Sequence, residues 1–467
     1  MKIAIAGASG FVGKLLLDSL TDGFDLIALG RSVPARTSQS MSHSDIQKID
    51  WRNCDLFSLL QIEKALEGAE VGIYLVHSML PRARLTQSSF EDCDLLLADN
   101  FARAAKFAGL KRIIYLSGLI PDGPELSKHL TSRREVEITL SSQGIPVTTL
   151  RSGLILGAQG SSFQMLYILV KRLPVMICPK WTRTRTQCIA SSDVVDLIRF
   201  SILDTRTAGR TFDIGSPEVL TYRDLMKTLA DEMGKKRRFF SVPFLSPGLS
   251  RLWVQLITGG SRNLVLPLVQ SLKHEMIVRD PALLVMYGKP MLQIREALKR
   301  CLTHITPTLR SSTRQRTQQL RGGTEVRSIQ RLPLPQGKSA EWLANEYFRW
   351  LPTFLKPFIL VYKLDPNIWH FRFAFMKKSL LELHYSQDRS TPERQLFYIR
   401  GGLLATRNQA ANARLEFREV LNKKASLAAI HGFSPSLPWL VYKYSQAVLH
   451  LWVMNAFRRH LTEMQKS

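Results

Sequence analysis

The residues nearest the start of the chain already point to chemistry. Gly7-Ala8-Ser9-Gly10-Phe11-Val12-Gly13 spaces three glycines three apart. In such a turn the first glycine allows the tight bend. The second lets the backbone approach a pyrophosphate, and the third lets a helix pack closely on a strand. The N–H groups at the start of that helix then face the phosphates. Arg31 ends the next apolar run, where many dinucleotide sites carry an acid for the ribose hydroxyls. A guanidinium there pairs with a 2′-phosphate, so NADP is preferred over NAD. The plainer reading of Arg31 is a solvated loop cation.

These residues need elements to hold them. Lys2–Ala6 is a short apolar run, and Leu15, Leu16, Leu17 and Leu20 follow at helical spacing. Strand, glycine turn and helix in that order give the glycines the context that makes them informative. Strand-like runs recur at Phe24–Leu29, Val71–His77, Lys111–Ser117 and Ile145–Arg151, and the stretch Ile49–Leu56 carries Asp55 at a strand end. Helical patterns at Leu59–Leu66 and Ser89–Ala108 separate them. The alternation predicts an α/β fold, a doubly wound parallel sheet. Ligands of such sheets sit at the carboxyl ends of the strands, where Gly7–Gly13, Arg31, Asp55, His77 and Ser117 all fall. Asp55 and Leu56 would meet the adenine. Val76 and His77 would meet the nicotinamide half, or simply line the crevice.

The front of the chain resembles the short-chain dehydrogenase/reductase superfamily in its extended and atypical branches. The matching residues are Gly7–Gly13, Asp55-Leu56, Asn100, Tyr115-Leu116-Ser117-Gly118, Arg151 with Gly157, Gln187–Val194 and Gly209–Gly215. Tyr74–Met79 and Leu173–Met176 resemble the NmrA-like NAD(P)H-binding proteins within it. The resemblance covers about residues 1–300. It implies a Rossmann fold, an NADP or NAD cofactor and an oxidoreductase or epimerase-like activity.

The chain departs from that pattern where catalysis is expected. The resemblance implies Tyr-x-x-x-Lys on the helix after the Ser117 strand, the Lys lowering the tyrosine pKa for proton transfer. Aligned on Glu135-Val136-Glu137, His129 takes the Tyr place and Arg133 the Lys place. In one reading His129 is an acid/base that titrates near neutral pH and Arg133 holds the ribose or a phosphate. In another, the pair is lost and the domain binds cofactor as a sensor or scaffold. In a third, His129 is an ordinary surface histidine. Ser117 is read as positioning substrate, or else as capping the next turn. Asp193 precedes the run Val194, Val195, Leu197 and Ile198, and reads as a helix N-cap.

Composition narrows the field. The chain has 467 residues, and 45% of them are apolar, which excludes a disordered protein. Residues 1–120 hold 13 Lys+Arg and 13 Asp+Glu, while residues 301–467 hold 25 and 10. Residues 121–300 hold 26 and 15, so the overall charge of +26 is divided between these two later parts of the chain. A neutral front with a basic back excludes a uniform nucleic-acid coat, and no specific nucleic acid is expected. Five cysteines, none in a C-x-x-C pair, fit a reducing compartment and hold no metal motif. The N-terminus carries no signal peptide pattern, and a cytoplasmic location is expected.

The domains expected are 1–302, a nucleotide-binding domain with a substrate-side lobe; 303–324, a basic linker; and 325–467, a smaller α+β domain. In the last, a helix at Ala340–Leu360 precedes strand-like runs from His370 to Ile430 and a long helix at Pro438–Met464. That order resembles the helix-grip, START-like fold. Trp439–Phe457 is long enough to raise a membrane span, but its polar residues favour a buried amphipathic helix. Peripheral contact with an anionic membrane, at its inner face, stays open. The activity expected is an NAD(P)-dependent oxidoreductase acting on a small or apolar carbonyl or quinone-like compound. The alternatives are a non-catalytic NADP(H)-binding regulator or scaffold, and a membrane-associated lipid-handling protein.

Overall fold

The computed structural model describes residues 1–31, 48–77, 84–123, 126–242, 271–305, 325–406 and 413–466. Its contacts divide into two compact units, Met1–Met79 with Leu97–Gln315, and Leu80–Leu96 with Arg316–Ser467. The expected basic linker lies almost wholly outside the described residues. So do Ser78, Met79 and the apolar positions from Trp253 to Val269.

The first unit is built on seven parallel strands. Their order is Thr211–Ile214, Val147–Ser152, Arg112–Gly118, Val71–Tyr74, Lys2–Ala6, Asp25–Gly30 and Ile49–Asn53. The chain steps outward from Lys2–Ala6 in one direction, then returns to Val71–Tyr74 and steps outward in the other. Between those two strands lies the switch point, where a doubly wound sheet opens a crevice at its carboxyl edge. Ile3, Ile5, Leu16, Leu17 and Ile73 are fully buried on one face; Ala4, Ala6, Ile62 and Phe101 are buried on the other. Burial on both faces explains why these strands read as continuous apolar runs.

Beyond the sheet, helices Ser161–Arg172 and Tyr222–Glu232 pack with Ile294–Thr303 into a separate apolar lobe. Thr221 caps Tyr222–Glu232, its hydroxyl accepting the Asp224 N–H at 3.1 Å. Gly288-Lys289-Pro290 separates the helix Ala282–Tyr287 from Ile294–Thr303. Gly288 adopts φ +68° and ends the helix Ala282–Tyr287.

The second unit is an eight-stranded mixed sheet. Six strands from Ile359–Asp365 to Ala425–Phe433 run antiparallel in chain order, and Val326–Pro333 pairs beside the last. The short strand Leu85–Gln87 adds in parallel at the edge of Val326–Pro333. Helices Ala340–Leu355 and Gln446–Lys466 bury Tyr347, Phe348 and Phe457 against Phe397 and Phe417 on one sheet face. The long terminal helix is interrupted at Ser445, which separates Trp439–Tyr444 from Gln446–Lys466. No described helix is long and apolar enough to cross a membrane. Within this unit Glu416 is fully buried between Arg394 and Arg418, which it binds directly. Burial opposes its charge, but Arg394, Arg418 and Arg414 hold its carboxyl well below the usual range.

Candidate active site

The glycine turn forms as its residue types require. Gly7 stands at φ +92°, a backbone region open to glycine. Its carbonyl accepts the Gly10 N–H at 2.9 Å. A Cβ on Gly13 would collide with the Gly7 carbonyl oxygen and the Ala8 backbone, so Gly13 is where helix and strand touch. A Cβ on Gly10 would meet only the Gly7 oxygen, at 3.1 Å, and leaves the space above the turn open. The helix Phe11–Leu20 then starts without a side-chain cap. Its first N–H groups have no intrahelical acceptor and carry the positive end of the helix dipole.

Gly7, Gly10, Phe11, Val12 and Gly13 line one end of a cavity of about 410 Å3. His77, Ser117, His129 and Arg133 line its middle. The far end is apolar, with Met165, Leu166, Leu169, Trp181, Tyr222 and Met226. Trp181 and Tyr222 meet edge to face at 6.3 Å, and burial pushes the Tyr222 phenol well above its ordinary pKa. Sequence reading missed this apolar end. Its residues are ordinary helix and turn positions until the fold places them together.

Other expected residues lie elsewhere in the unit. Ala8 is buried beneath the turn. Arg31 is exposed after the strand Asp25–Gly30, and Asp55 follows the neighbouring parallel strand Ile49–Asn53. The two stand at the same carboxyl edge but outside the cavity wall, as do Leu56 and Val76. Asn100 is fully buried and donates from Nδ2 to the Leu56 carbonyl at 3.0 Å, which fixes the loop carrying Asp55.

The middle of the cavity holds the residues in which chemistry would reside. Ser117 donates from Oγ to Glu137 Oε1 at 2.8 Å. Arg151 grips the same carboxylate through Nε at 3.0 Å and Nη2 at 2.6 Å. Glu137 escaped the sequence reading except as an alignment marker; its spacing four residues after Arg133 on the helix Lys128–Ser141 was the available signal. Arg133 is buried in the cavity wall, and its Nη1 donates to the Tyr115 hydroxyl at 3.5 Å. His129 sits one turn before it. Burial first, then the neighbouring Arg133 and His77, lower its pKa to about 3. The imidazole is therefore neutral at physiological pH, and its buried Nδ1 has no hydrogen-bond partner among the described residues. A titration near neutral pH, the property first expected of His129, does not fit this environment.

Asp193 departs from its expected role. Ala190 stands at the N-cap of Ser191–Leu203, and Asp193 lies inside the first turn. Its Oδ2 accepts the Leu292 N–H at 2.9 Å, so it ties a distant segment to the helix. Gln187 does similar work. It donates to the Ser216 carbonyl at 2.6 Å and accepts the Val278 N–H at 2.8 Å.

The model of the NmrA-like family matches residues 1–247, more than half of the 467. The chain belongs to the NmrA-like family. Auxiliary protein GraX of Staphylococcus aureus is 26% identical over 148 residues, 32% of this chain and 43% of that protein. The mitochondrial NADH dehydrogenase (ubiquinone) 1 alpha subcomplex subunit 9 of Arabidopsis thaliana is 24% identical over 252 residues, 51% of this chain and 60% of that one. This NmrA-like chain thus spans about half the length of those two relatives. A (4-alkanoyl-5-oxo-2,5-dihydrofuran-3-yl)methyl phosphate reductase of Streptomyces griseus is 24% identical over 244 residues, 51% of this chain and 76% of that one.

Solved structures show the same fold. A nucleoside-diphosphate-sugar epimerase of Staphylococcus aureus superposes with TM-score 0.51 at 16% identity, over 64% of this chain and 100% of its own. The NADPH complex of an Escherichia coli NADPH-dependent quinone oxidoreductase superposes with TM-score 0.50 at 18% identity, over 65% and 100%.

Proposed function

We propose that the chain is an NADP(H)-dependent reductase of an apolar carbonyl or quinone-like compound. The observation that carries this reading is the continuity of one cavity, from the glycine turn past His129 and Arg133 to the apolar lobe. A phosphate-bearing dinucleotide fits its first end, because the turn is open above Gly10 and the helix N-terminus is uncapped. Arg31, with no acid beside it, favours a 2′-phosphate. The Escherichia coli quinone oxidoreductase, named as NADPH-dependent, and the Streptomyces reductase support the same class by analogy.

Bound NADPH supplies the hydride. The chain supplies position and polarity. The first-turn N–H groups of Phe11–Leu20 hold the pyrophosphate, and Arg133 holds the ribose or a phosphate. Neutral His129, which lines the cavity, donates from its Nε2–H to the substrate oxygen, in the tautomer that leaves the buried Nδ1 unprotonated. A neutral imidazole polarises a carbonyl in this way without becoming charged. Leu166, Leu169, Trp181 and Met226 exclude water around the reacting carbon, which strengthens that hydrogen bond. The proton that completes the alcohol or hydroquinone comes from solvent as the product leaves.

A second reading is a non-catalytic NADP(H)-binding regulator. The commitment of Ser117 to Glu137 and the absence of a phenol at position 129 favour it. For the second unit, the order strand, helix, six antiparallel strands and terminal helix supports a helix-grip, START-like reading. Calorimetric titration of the full chain with NADPH and NADH tests the shared premise. Tight NADPH binding that is lost in Gly10→Ala is expected; binding of neither dinucleotide removes both readings.

A further inference from the structure

The terminal helices of the second unit leave an apolar face uncovered. The long helix buries Ala447, Met454, Phe457 and Leu461 at spacings of seven, three and four, which is its core face. The solvent side should then be polar. Instead Leu440, Val441, Tyr444, Val448, Leu449 and Trp452 are exposed, repeating i, i+1, i+4 on either side of the Ser445 break. An apolar stripe of this length on a solvent face marks an interaction surface.

The stripe continues onto the neighbouring elements. Trp452, 52% exposed, packs on Phe354 with ring centroids 4.6 Å apart. Four residues on, Phe358 is 70% exposed, and its carbonyl accepts the Ala374 N–H at 2.9 Å. Phe375, 79% exposed, stacks on Phe373 beside it. Tyr, Trp and Phe at the rim of an apolar face suit a lipid interface, where the ring enters the acyl boundary and the polar edge stays wet.

The surrounding charge selects the occupant. Pro438–Thr462 carries Lys443, Arg458 and Arg459 and no carboxylate. Lys356–Lys378 carries Lys356, Lys363, Arg372, Lys377 and Lys378 against Asp365 alone. A second copy of the chain would set these cations against one another across a symmetric contact. Anionic headgroups would neutralise them, each basic side chain near the surface adding to the attraction. We propose that this face docks the second unit on an anionic lipid bilayer, lying in the interface without spanning it.

The test is co-sedimentation of the full chain with vesicles of phosphatidylcholine alone, and of phosphatidylcholine with phosphatidylglycerol. Pelleting with the anionic vesicles is expected, at least tenfold weaker with the neutral ones and falling as salt rises. Leu449→Glu with Trp452→Glu lies on exposed positions, so circular dichroism and NADPH affinity should stay unchanged while pelleting falls at least tenfold. Should that pair disturb the fold, Lys377→Ala with Lys378→Ala must weaken pelleting on anionic vesicles alone. No pelleting with either vesicle overturns the proposal, as does pelleting indifferent to both pairs. A concentration-dependent dimer, dissolved by the Glu pair and blind to vesicles, would assign the face to a second copy instead.

Discussion

The Ser117 hydroxyl points at a carboxylate: its Oγ donates to Glu137 Oε1 at 2.8 Å, while Arg151 holds both oxygens of the same group. The serine at the strand end is thus tied into the wall of the cavity. We predict that Ser117→Ala lowers turnover only a few-fold and costs about 1 kcal/mol of stability, the worth of one hydrogen bond. Glu137→Ala, which strands the half-buried Arg151, should cost about 3 kcal/mol. Urea unfolding of the two variants checks the ranking. A loss of turnover above a hundredfold in Ser117→Ala, with stability unchanged, would put the hydroxyl on the substrate.

Two glycines of the turn should behave differently. A Cβ on Gly10 meets only the Gly7 carbonyl oxygen, at 3.1 Å, so Gly10→Ala should fold with a smaller loss of stability than Gly13→Ala and lose dinucleotide affinity at least tenfold. Gly13→Ala drives a methyl group into the Gly7 carbonyl and should destabilise the unit by about 2 kcal/mol, within the range for overpacking. Calorimetry and thermal unfolding, run side by side, separate the effects. Equal destabilisation of both variants would contradict the open turn.

Arg31 is the cofactor selector in this account. Replacing it with Ala should weaken NADPH binding by about tenfold to a hundredfold, as expected for a charge-assisted contact of about 1.5–3 kcal/mol. NADH binding should hardly move. Indifference of both affinities to Arg31→Ala would leave the side chain as a solvated loop cation.

Buried histidines give the protein a pH dependence with a definite sign. Burial lowers His450 to about 4, and burial with Arg133 and His77 lowers His129 to about 3. Both folded values lie below the unfolded value of about 6.5. The unfolded chain therefore binds the extra protons, and stability present above pH 6.5 is lost as pH falls toward 4 and then 3. At pH 5 each group should have cost on the order of 2 kcal/mol. Urea midpoints measured from pH 7 to pH 5 should fall, and less so in His450→Gln. For the same reason kcat/KM should show no ionisation of His129 near pH 6.5. A histidine inflection there that disappears in His129→Gln would restore the titrating acid first expected.

The first unit was largely legible because its elements carry strong local signals. Strands buried on both faces read as apolar runs, and Gly7, Gly10 and Gly13 announce their turn by type and spacing. In the second unit, the strand Arg414–Val420 falls within the stretch from His370 to Ile430 that reads as strand-like. Leu85-Thr86-Gln87 gave no signal, since three residues are too short for a period and their pairing is set by a partner some 240 residues on. Asp193 looked like a cap because caps and first-turn acids share residue types; only the position of Leu292 distinguishes them. The Ser117–Glu137–Arg151 network joins two strands and a helix, and no local pattern encodes it. The neutrality of His129 depends on burial and on His77, both set by tertiary packing.

The most direct measurement is the oxidation of NADPH by the full chain in the presence of apolar quinones and long-chain aldehydes. The account predicts saturable turnover in NADPH and in one of these substrates. Half-maximal turnover in Gly10→Ala should need at least tenfold more NADPH, and turnover should fall a hundredfold or more in His129→Ala with NADPH affinity unchanged. Tight NADPH binding with no oxidation above the uncatalysed rate, on every member of the panel, would contradict the reductase and leave the regulator.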